Sequence, residues 1–282
     1  MKYHTNKIRK LPCFNSYLKS ISQNSESDEL VRSFQVNGQR FWLKRAGEDK
    51  HRWYHRMLPL LSRGKLKGWL NSHAYIPPNA RLFGELKRLL ALSLQGLPVV
   101  QITSFTDHSF ITKDAGVDAK TILEQSTEKR EIVGQLFDAL GTLHQAGVVH
   151  GRPALRDIAI SASGKVTFLD FEESPTQTTP ELMARDAIIL INECHRIPDL
   201  TASDVQAGVA KWRMKTNRST WHAMCSATWW LLALLSVPAK LSARWSQKPR
   251  KQRLRRALAT LSRLTKSPLP NHFFPRGLPF GF

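Results

Sequence analysis

Hydrophobic and polar residues alternate in two parts of the chain, and this alternation predicts two antiparallel hairpins. In residues 31–46 the alternating positions lie on either side of an Asn-Gly pair at residues 37–38, which is typical of a two-residue hairpin turn. A second pair of β-rich runs covers residues 99–105 and 109–112, with a polar connection between them. We therefore expect two hairpins of short strands, of which the first ends near Lys44.

Apolar residues recur at intervals of three and four in two other parts of the chain, where the pattern predicts amphipathic helices. The first predicted helix follows a proline-rich break at residues 77–79. Its apolar stripe is formed by Leu82, Leu86, Leu89 and Leu90. The second predicted helix extends over residues 128–145 and is expected to end at Gly147.

A third hairpin is predicted after the second helix. A short apolar piece at residues 158–160 and a run at residues 166–169 are separated by a Ser-Gly turn at residues 163–164. The resulting order is hairpin, helix, hairpin, helix, hairpin, with no internal repeat. This order predicts an α+β fold in which a small lobe rich in β-structure precedes a mainly helical lobe.

Composition changes this picture mainly at the C-terminal end. The 282 residues contain 42 Lys and Arg against 22 Asp and Glu, for a formal charge of +20. Residues 201–282 hold 15 of these cations and a single acid, Asp204, so this segment alone carries +14. The proportions of 41% hydrophobic and 23% charged residues exclude disorder throughout. Three scattered cysteines and a start without an apolar signal run indicate a reducing compartment and no export.

The basic C-terminal part contains an uncharged stretch of 21 residues, 219–239, which includes three tryptophans. Three structures fit this stretch: a buried helix, a helix lying at a membrane interface, and a transmembrane span. After it, residues 250–266 place five apolar residues on one helical stripe and four arginines off it. Such a basic amphipathic helix fits an anionic membrane surface better than nucleic acid, for which no recognition motif is present.

Four chemically distinctive features occur in a fixed order along this skeleton. They are a strand lysine, Lys44; a helix glutamate, Glu85; a loop from His150 to Asp157; and an aspartate at a strand end, Asp170. Phosphoryl transfer requires a cation on the nucleotide phosphates, a carboxylate that orients this cation, and oxygen ligands for Mg²⁺. Each residue alone fits an ordinary surface or core position, and only their joint order indicates this chemistry.

The segments around these residues resemble the protein-kinase-like fold. Residues 41–44 (FWLK) are similar to the strand that carries the phosphate-binding lysine, and residues 143–151 (LHQAGVVHG) look like the passage from a helix into a catalytic loop. Residues 85–98, in which leucines precede Gly-Leu-Pro-Val, are most similar to the lipopolysaccharide kinase family of bacteria. That family phosphorylates Kdo or heptose sugars of the lipid A core. The resemblance covers roughly residues 30–195.

The resemblance implies a two-lobed architecture and a set of site residues. It implies a nucleotide-binding N-terminal lobe at residues 1–112, a C-terminal lobe with the catalytic and metal loops at residues 113–216, and a helical C-terminal extension at residues 217–282. The implied catalytic residues are Lys44, Glu85, His150, Arg152, Asp157 and Asp170. Lys44 would hold the phosphates of ATP, Glu85 would orient Lys44, and Asp157 and Asp170 would bind Mg²⁺. His150 would brace the loop, and the adenine pocket would be bordered by Lys113, Asp114, Ala115 and Gly116.

Several positions depart from the family pattern. Arg152 occupies the place of the catalytic aspartate, Asp157 replaces a metal-binding asparagine, Glu172 replaces a glycine, and no glycine-rich phosphate loop is visible. A general base contributes about 10²–10⁴-fold, so its loss would slow a kinase without abolishing transfer. Arg152 could instead bind a phosphate, or it could pair with Asp157 or Glu173 in a pseudokinase.

The expected function is therefore that of an ATP- and Mg²⁺-dependent kinase whose acceptor is a lipid A core sugar or another alcohol. It would be cytoplasmic and peripheral at the inner membrane of a bacterium, held on the anionic surface by the C-terminal extension. The alternatives are a membrane-associated pseudokinase or binding module and an atypical protein kinase. A nucleic-acid-binding function is the weakest of these hypotheses.

Overall fold

A computed structural model describes residues 30–47, 77–236 and 249–266 of the chain. Within these ranges a four-stranded antiparallel sheet and one long helix come first, and a mainly helical part with a three-stranded sheet follows. The predicted α+β class, with a small β-rich region before a helical region, is confirmed. The segment before the first hairpin, in which no glycine-rich loop was found, and the last three residues of the uncharged stretch lie outside the described residues.

The first predicted hairpin is confirmed. Strand β1 (Val31–Val36) pairs with β2 (Gln39–Arg45), and Asn37 and Gly38 have φ angles of 51° and 75° in the turn between them. A turn with two positive φ angles matches the twist of the flanking strands, which is why Asn-Gly occurs there. Because side chains alternate along a strand, Trp42 and Lys44 lie on one face of β2 and the buried residues Phe41 and Leu43 on the other.

The second predicted hairpin is also confirmed, with a later start. Strand β3 (Ile102–Phe105) pairs with β4 (Ser109–Lys113), and β4 also pairs with β2, so the sheet order is β1-β2-β4-β3. Residue Val99, predicted to begin this hairpin, forms an isolated bridge with Phe168 instead. This bridge joins the segment before β3 to the sheet of the following region.

Helix α1 (Pro78–Leu94) confirms the first helical prediction and brings a carboxylate into the core. Its first residue is a proline, which fits this position because the missing N–H has no partner there anyway. The buried stripe of α1 consists of Leu82, Leu86, Leu89 and Leu92. Glu85 lies three residues after one of these leucines and next to another, so it points to the same side and is buried with them.

The helical part begins with a compact group of short elements. Strand β5 (Val117–Asp118) and helix α2 (Ala119–Gln125) precede α3 (Lys129–Gln145), which confirms the second helical prediction. A 3₁₀ turn (Leu155–Asp157) leads into the third predicted hairpin, formed by β6 (Ile158–Ile160) and β7 (Val166–Phe168). These strands form a three-stranded sheet in the order β5-β6-β7, in which β6 lies between the other two.

Four further helices complete the described part of the chain: α4 (Pro180–Cys194), α5 (Ala202–Lys215), α6 (Arg218–Ser236) and α7 (Pro249–Lys266). Helix α5 packs along α3, and its Trp212 is fully buried. Helix α7 is the predicted basic amphipathic helix, and it packs against α4, α5 and α6. Its apolar residues Ala257, Leu258 and Leu261 belong to the same core as those of α3.

Helix α6 covers most of the uncharged stretch. Its inner side is buried at Thr220, Met224 and Ala227, whereas Trp229 and Trp230 are exposed. Among the described residues, no helix combines the length and the apolar character that a transmembrane span requires. Helix α6 therefore has one buried side and one exposed side.

Candidate functional site

Lys44 and Glu85 form an ion pair between the sheet and helix α1. The Lys44 Nζ atom lies 2.8 Å from each carboxylate oxygen of Glu85, although the residues are 41 positions apart. The Lys44 side chain is 19% exposed and that of Glu85 is fully buried. Strand alternation places Lys44 on the face of β2 opposite Phe41 and Leu43. The helical period places Glu85 on the buried side of α1, and the two side chains meet at this contact.

Two more carboxylates converge on the same lysine. Asp170 Oδ1 lies 3.5 Å and Glu172 Oε1 lies 3.1 Å from Lys44 Nζ. The backbone N–H of Glu172 donates to Asp170 Oδ1 at 3.0 Å, which fixes the turn after β7. We call Lys44, Glu85, Asp170 and Glu172 the lysine cluster. Its carboxylates from Glu85, Asp170 and Glu172 also satisfy the spacing of a metal site.

The electrostatics of the lysine cluster follow from burial and from an excess of carboxylates. Burial opposes the charge on Lys44, but the three carboxylates outweigh it and raise the pKa of its ammonium group. Burial raises the pKa of Glu85 to about 7, and Lys44 only partly opposes this effect. Burial also works to raise the pKa of Asp170, but Lys44 and the Glu172 amide prevail and lower it. Asp170 is therefore the member that is most firmly held as an anion.

Asp157 lies next to Asp170 at the end of the 3₁₀ turn. The backbone N–H of Leu169 donates to the Asp157 carbonyl at 2.9 Å, which joins the two loops. Burial and the negative charge of Asp170 raise the pKa of the Asp157 carboxyl group. Its Oδ1 atom also lies 3.5 Å from Nε of Arg156. Two carboxylates that repel each other in this way would be stabilised by a divalent cation.

The loop that begins at His150 is anchored by Asp186 on helix α4. The two carboxylate oxygens of Asp186 accept the backbone N–H groups of His150 and Gly151 at 2.7 and 3.0 Å. His144 completes the anchor, because its Nδ1 accepts the Trp212 indole N–H at 2.9 Å and leaves Nε2–H to face Asp186 at 3.4 Å. Asp186 was not predicted. Its signal in the sequence is a pair of charged residues, Arg185 and Asp186, between the apolar residues of a helical stretch.

The His150 side chain packs between two aromatic rings. Its ring centroid lies 5.1 Å from that of Phe168 and 4.7 Å from that of Phe171. Burial lowers the pKa of the imidazole to about 4, so the ring is neutral near pH 7. The backbone N–H of Arg152 donates to His150 Nδ1 at 3.4 Å. His150 thus links the loop to the segment that carries Asp170.

Arg152, at the position where the resemblance places a proton acceptor, pairs with an acid of the neighbouring segment. Its guanidinium lies 3.2 Å from Glu173 Oε1, and both side chains are nearly half exposed. The loop and this segment pack closely because Gly151 has a φ of 99°, and a Cβ atom there would overlap the carbonyl oxygen of Glu173. One of the pairings considered for Arg152 from the sequence is therefore observed.

Residues 113–116, expected to border the adenine pocket, line a cavity of about 700 Å³. The lining also includes Val99, Ile160 and Thr167, but none of the lysine cluster and not Asp157. This cavity is therefore separate from the cluster. On the side of Lys44, Asp114 accepts the indole N–H of Trp42 at 2.8 Å. Through Asp114, the segment of residues 113–116 thus contacts the face of β2 that carries Lys44.

Two arginines of α1 hold the segment after Asp170. Arg88 donates to the carbonyl oxygen of Pro175 at 2.8 Å, and Arg81 lies 3.9 Å from Glu172. The hydroxyl of Ser174 donates to the Val149 carbonyl on the other side. These contacts fix the segment between α1 and the loop of His150, so that Asp170 and Glu172 face Lys44.

The site therefore combines one lysine, four carboxylates and a neutral histidine on elements that are far apart in the sequence. Such a group can bind an anionic phosphate together with a hard cation. Of the predicted catalytic residues, Lys44, Glu85, Asp157 and Asp170 lie together. His150 supports them from within the core, and Arg152 lies at the exposed edge.

Comparisons with known proteins give one informative match. No protein-family model matches the chain. A protein of Haemophilus influenzae, described as uncharacterized, is 30% identical over 219 residues, which cover 75% of this chain and 81% of that protein. Similarity over this share of both chains indicates common descent and a common fold. The chain belongs to the same family as this Haemophilus influenzae protein.

Proposed function

We propose that the protein is an ATP- and Mg²⁺-dependent phosphotransferase with a protein-kinase-like fold, similar to the lipopolysaccharide core kinases. The observation that carries the proposal is the convergence of Lys44, Glu85 and Asp170. Lys44 and Asp170 are 126 positions apart and yet lie 3.5 Å from each other. The lysine, the helix glutamate and the strand-end aspartate were expected to converge only because of the family resemblance.

The architecture supports the same proposal. An antiparallel sheet with one helix against it precedes the helical part. The lysine lies on the sheet, its partner on that helix, and the loop and strand-end acids on the helical part. A nucleotide bound between these elements would therefore meet a cation from one side and carboxylates from the other. This division is the one that phosphoryl transfer requires.

In the proposed reaction, Lys44 binds the phosphates of the nucleotide and Glu85 holds its ammonium group in place. Glu172 Oε1 lies 3.1 Å from Lys44 Nζ, so a phosphate that binds Lys44 must replace this contact. Arg81, which is near Glu172, can take up the released carboxylate. The cost of the exchange is small because Glu172 is about one-third exposed, so water can solvate its carboxylate when it leaves Lys44.

The residues present fit a magnesium ion. Asp157 and Asp170 supply carboxylate oxygens, which are hard ligands, and burial together with the charge of Asp170 raises the pKa of Asp157. When bound there, Mg²⁺ would neutralise charge on the phosphate oxygens that face it. Asp170 keeps its anionic form because Lys44 and a backbone amide lower its pKa, so it remains a ligand at neutral pH.

The acceptor would be an alcohol, either a lipid A core sugar or a hydroxyl on another molecule. Arg152 leaves the loop without the usual carboxylate base, and its guanidinium is paired with Glu173. Transfer then depends on positioning and charge rather than on proton removal. A panel of acceptors containing Kdo-bearing lipid A, a generic protein substrate and the protein itself separates a sugar kinase from an atypical protein kinase.

The test of the nucleotide site is thermal stabilisation by ATP with Mg²⁺. We expect a rise in Tm of the wild type, and loss of this rise in Asp170→Asn. Asp107→Asn, which removes an exposed carboxylate from the turn between β3 and β4, is the matched control and should keep the rise. No shift in the wild type, or an equal shift in Asp170→Asn, would disprove the nucleotide site.

A second candidate, a pseudokinase that binds nucleotide without transfer, is favoured by the Arg152–Glu173 pair. The two candidates differ in the release of ADP. A kinase releases ADP faster with its acceptor than without it, whereas a pseudokinase shows the thermal shift and no ADP release with any acceptor. Arg152→Asp tests the role of the missing base, because it restores a carboxylate at the loop and should increase transfer only if the remaining site is competent.

A further inference from the structure

Helix α6 carries two adjacent exposed tryptophans in its second half. Trp229 is 64% and Trp230 57% exposed, and both side chains are in the described part of the chain. Their ring centroids lie 5.1 Å apart with an angle of 83° between the ring planes. Tryptophan has a large apolar surface and a single polar N–H group, so it is favoured at an interface with one apolar and one aqueous side.

These tryptophans belong to the outer side of the helix, not to an imperfectly packed core. The inner side is buried at Thr220, Met224, Ala227 and Thr228. The exposed positions follow a helical stripe that begins with Arg218, His222 and Ser226 and ends with Trp229 and Trp230. The stripe is polar at its first half and aromatic at its end. The apolar area is thus concentrated at one place on the surface.

The sequence that follows helix α6 is strongly basic. Residues 219–239 contain no charged residue, so no cation lies next to the tryptophans in the sequence. Residues 240–282 then contain 11 Lys and Arg and no Asp or Glu. Helix α7, which carries several of these cations, packs against α6, and its Arg255 and Arg263 are exposed. An exposed aromatic pair on a helix that packs against a basic helix with exposed arginines fits a partner that is apolar and anionic together.

We propose that the protein docks on an anionic lipid bilayer by inserting Trp229 and Trp230 at the level of the headgroups, with the exposed arginines of helix α7, Arg255 and Arg263, on the lipid phosphates. The helix would lie on the bilayer, since no described helix is suited to span it. Each Lys or Arg near such a surface contributes about 1 kcal/mol. The apolar stripe of α7 takes no part, because Leu258 and Leu261 are buried in the core.

Nucleic acid is the competing partner for a basic aromatic surface, and two observations favour lipid. Proteins that bind single strands present aromatic faces for base stacking with cations beside them for the phosphates. Here the two rings are nearly perpendicular, so they do not form a platform, and the nearest described neighbours in the sequence, Leu231 and Leu232, are apolar. An uncharged aromatic segment with cations beyond it is the pattern of a membrane interface.

The test is flotation of the full chain with phosphatidylcholine vesicles, with and without one quarter phosphatidylglycerol. We expect the wild type to float with anionic vesicles at 0.1 M NaCl, to release at 0.5 M NaCl and not to float with neutral ones. Trp229→Ala/Trp230→Ala should bind about tenfold more weakly. Leu94→Ala removes an apolar side chain that is 87% exposed on α1, and it should bind like the wild type.

A second measurement keeps an aromatic side chain at positions 229 and 230. Lipids brominated near the headgroup should quench part of the tryptophan fluorescence of the wild type, and Trp229→Phe/Trp230→Phe should remove that part. Trp212 is fully buried and serves as an internal reference that the lipid does not reach. Equal flotation of the alanine variant and the wild type would overturn the proposal, as would absence of quenching. Binding of a single-stranded oligonucleotide that depends on both tryptophans, without vesicle binding, would assign the surface to nucleic acid.

Discussion

Replacement of Lys44 by methionine tests whether the lysine cluster is held together by charge. The change keeps the length and most of the apolar stem of the side chain, but it removes the cation that lies within 3.5 Å of three carboxylates. Asp170 and Glu172 are each about one-third exposed and can be hydrated, whereas the side chain of Glu85 is fully buried. The main cost should therefore arise at Glu85.

The magnitude depends on pH in a direction that the structure sets. Removal of one partner from a buried ion pair costs about 3–5 kcal/mol, and the lower value applies because Lys44 is partly exposed. Without Lys44, the pKa of Glu85 rises further above 4.5, the ordinary value of a glutamate. A carboxyl group whose folded pKa is raised contributes stability at low pH that is lost as the pH rises. At pH 5.5, one unit above the ordinary value, protonation of Glu85 limits the cost to about 1.4 kcal/mol.

Urea unfolding of Lys44→Met and wild type at pH 8 and pH 5.5 measures this difference. We expect a loss of about 3 kcal/mol at pH 8, or about 6–10 °C in Tm, and at most about half of that at pH 5.5. Lys44→Met/Glu85→Gln should recover part of the loss at pH 8. Lys120→Met breaks only the exposed pair with Glu124 and should cost under about 0.5 kcal/mol. An equal loss at both pH values would refute the assignment of the cost to a buried carboxylate.

Three further predictions concern the loop that begins at His150, and each is measured by urea unfolding. Asp186→Asn leaves two backbone N–H groups with a weaker acceptor and should cost about 2–3 kcal/mol. Burial lowers the pKa of His150 to about 4, so only the unfolded chain takes up a proton at this residue as the pH falls from 6.5 to 4. The wild type should therefore lose up to about 3 kcal/mol of its free energy of unfolding over this range. His150→Phe should lack this part of the loss. Gly151→Ala should cost at least about 2 kcal/mol because of its positive φ and the overlap with Glu173, whereas Gly84→Ala, on α1 with open space around it, should stabilise by about 0.5 kcal/mol.

The sequence was most informative where a local period determines which way a side chain points. The alternation in residues 31–46 correctly predicted the hairpin that carries Lys44, and the leucine spacing of α1 correctly predicted the helix that carries Glu85. Neither pattern predicts the 2.8 Å contact between the two residues. Their meeting was expected only from the order of the four features, which is information about a whole fold and not about any one segment.

The parts that were missed depend on contacts between distant elements. The carboxylate of Asp186 accepts a hydrogen bond from the backbone N–H of His150, which is 36 positions away in the sequence. The residues around Asp186 do not indicate that it anchors a distant loop. The amphipathic pattern of α7 predicts a helix with one apolar side and does not distinguish the core of the protein from a bilayer. Burial of Leu258 and Leu261 decides this for the core.

Under the proposed function, the composition of the site favours slow transfer over none. Arg152 removes a general base, which is worth about 10²–10⁴-fold. The parts that bind and orient phosphate have their counterparts in Lys44, Asp157 and Asp170, and phosphoryl transfer depends mainly on such positioning and on charge. The cluster also has more carboxylates than cations, so a free nucleotide, itself an anion, would be repelled. Nucleotide binding should therefore require a divalent cation, and an enzyme of this kind would be recognised by slow turnover that depends strictly on that cation.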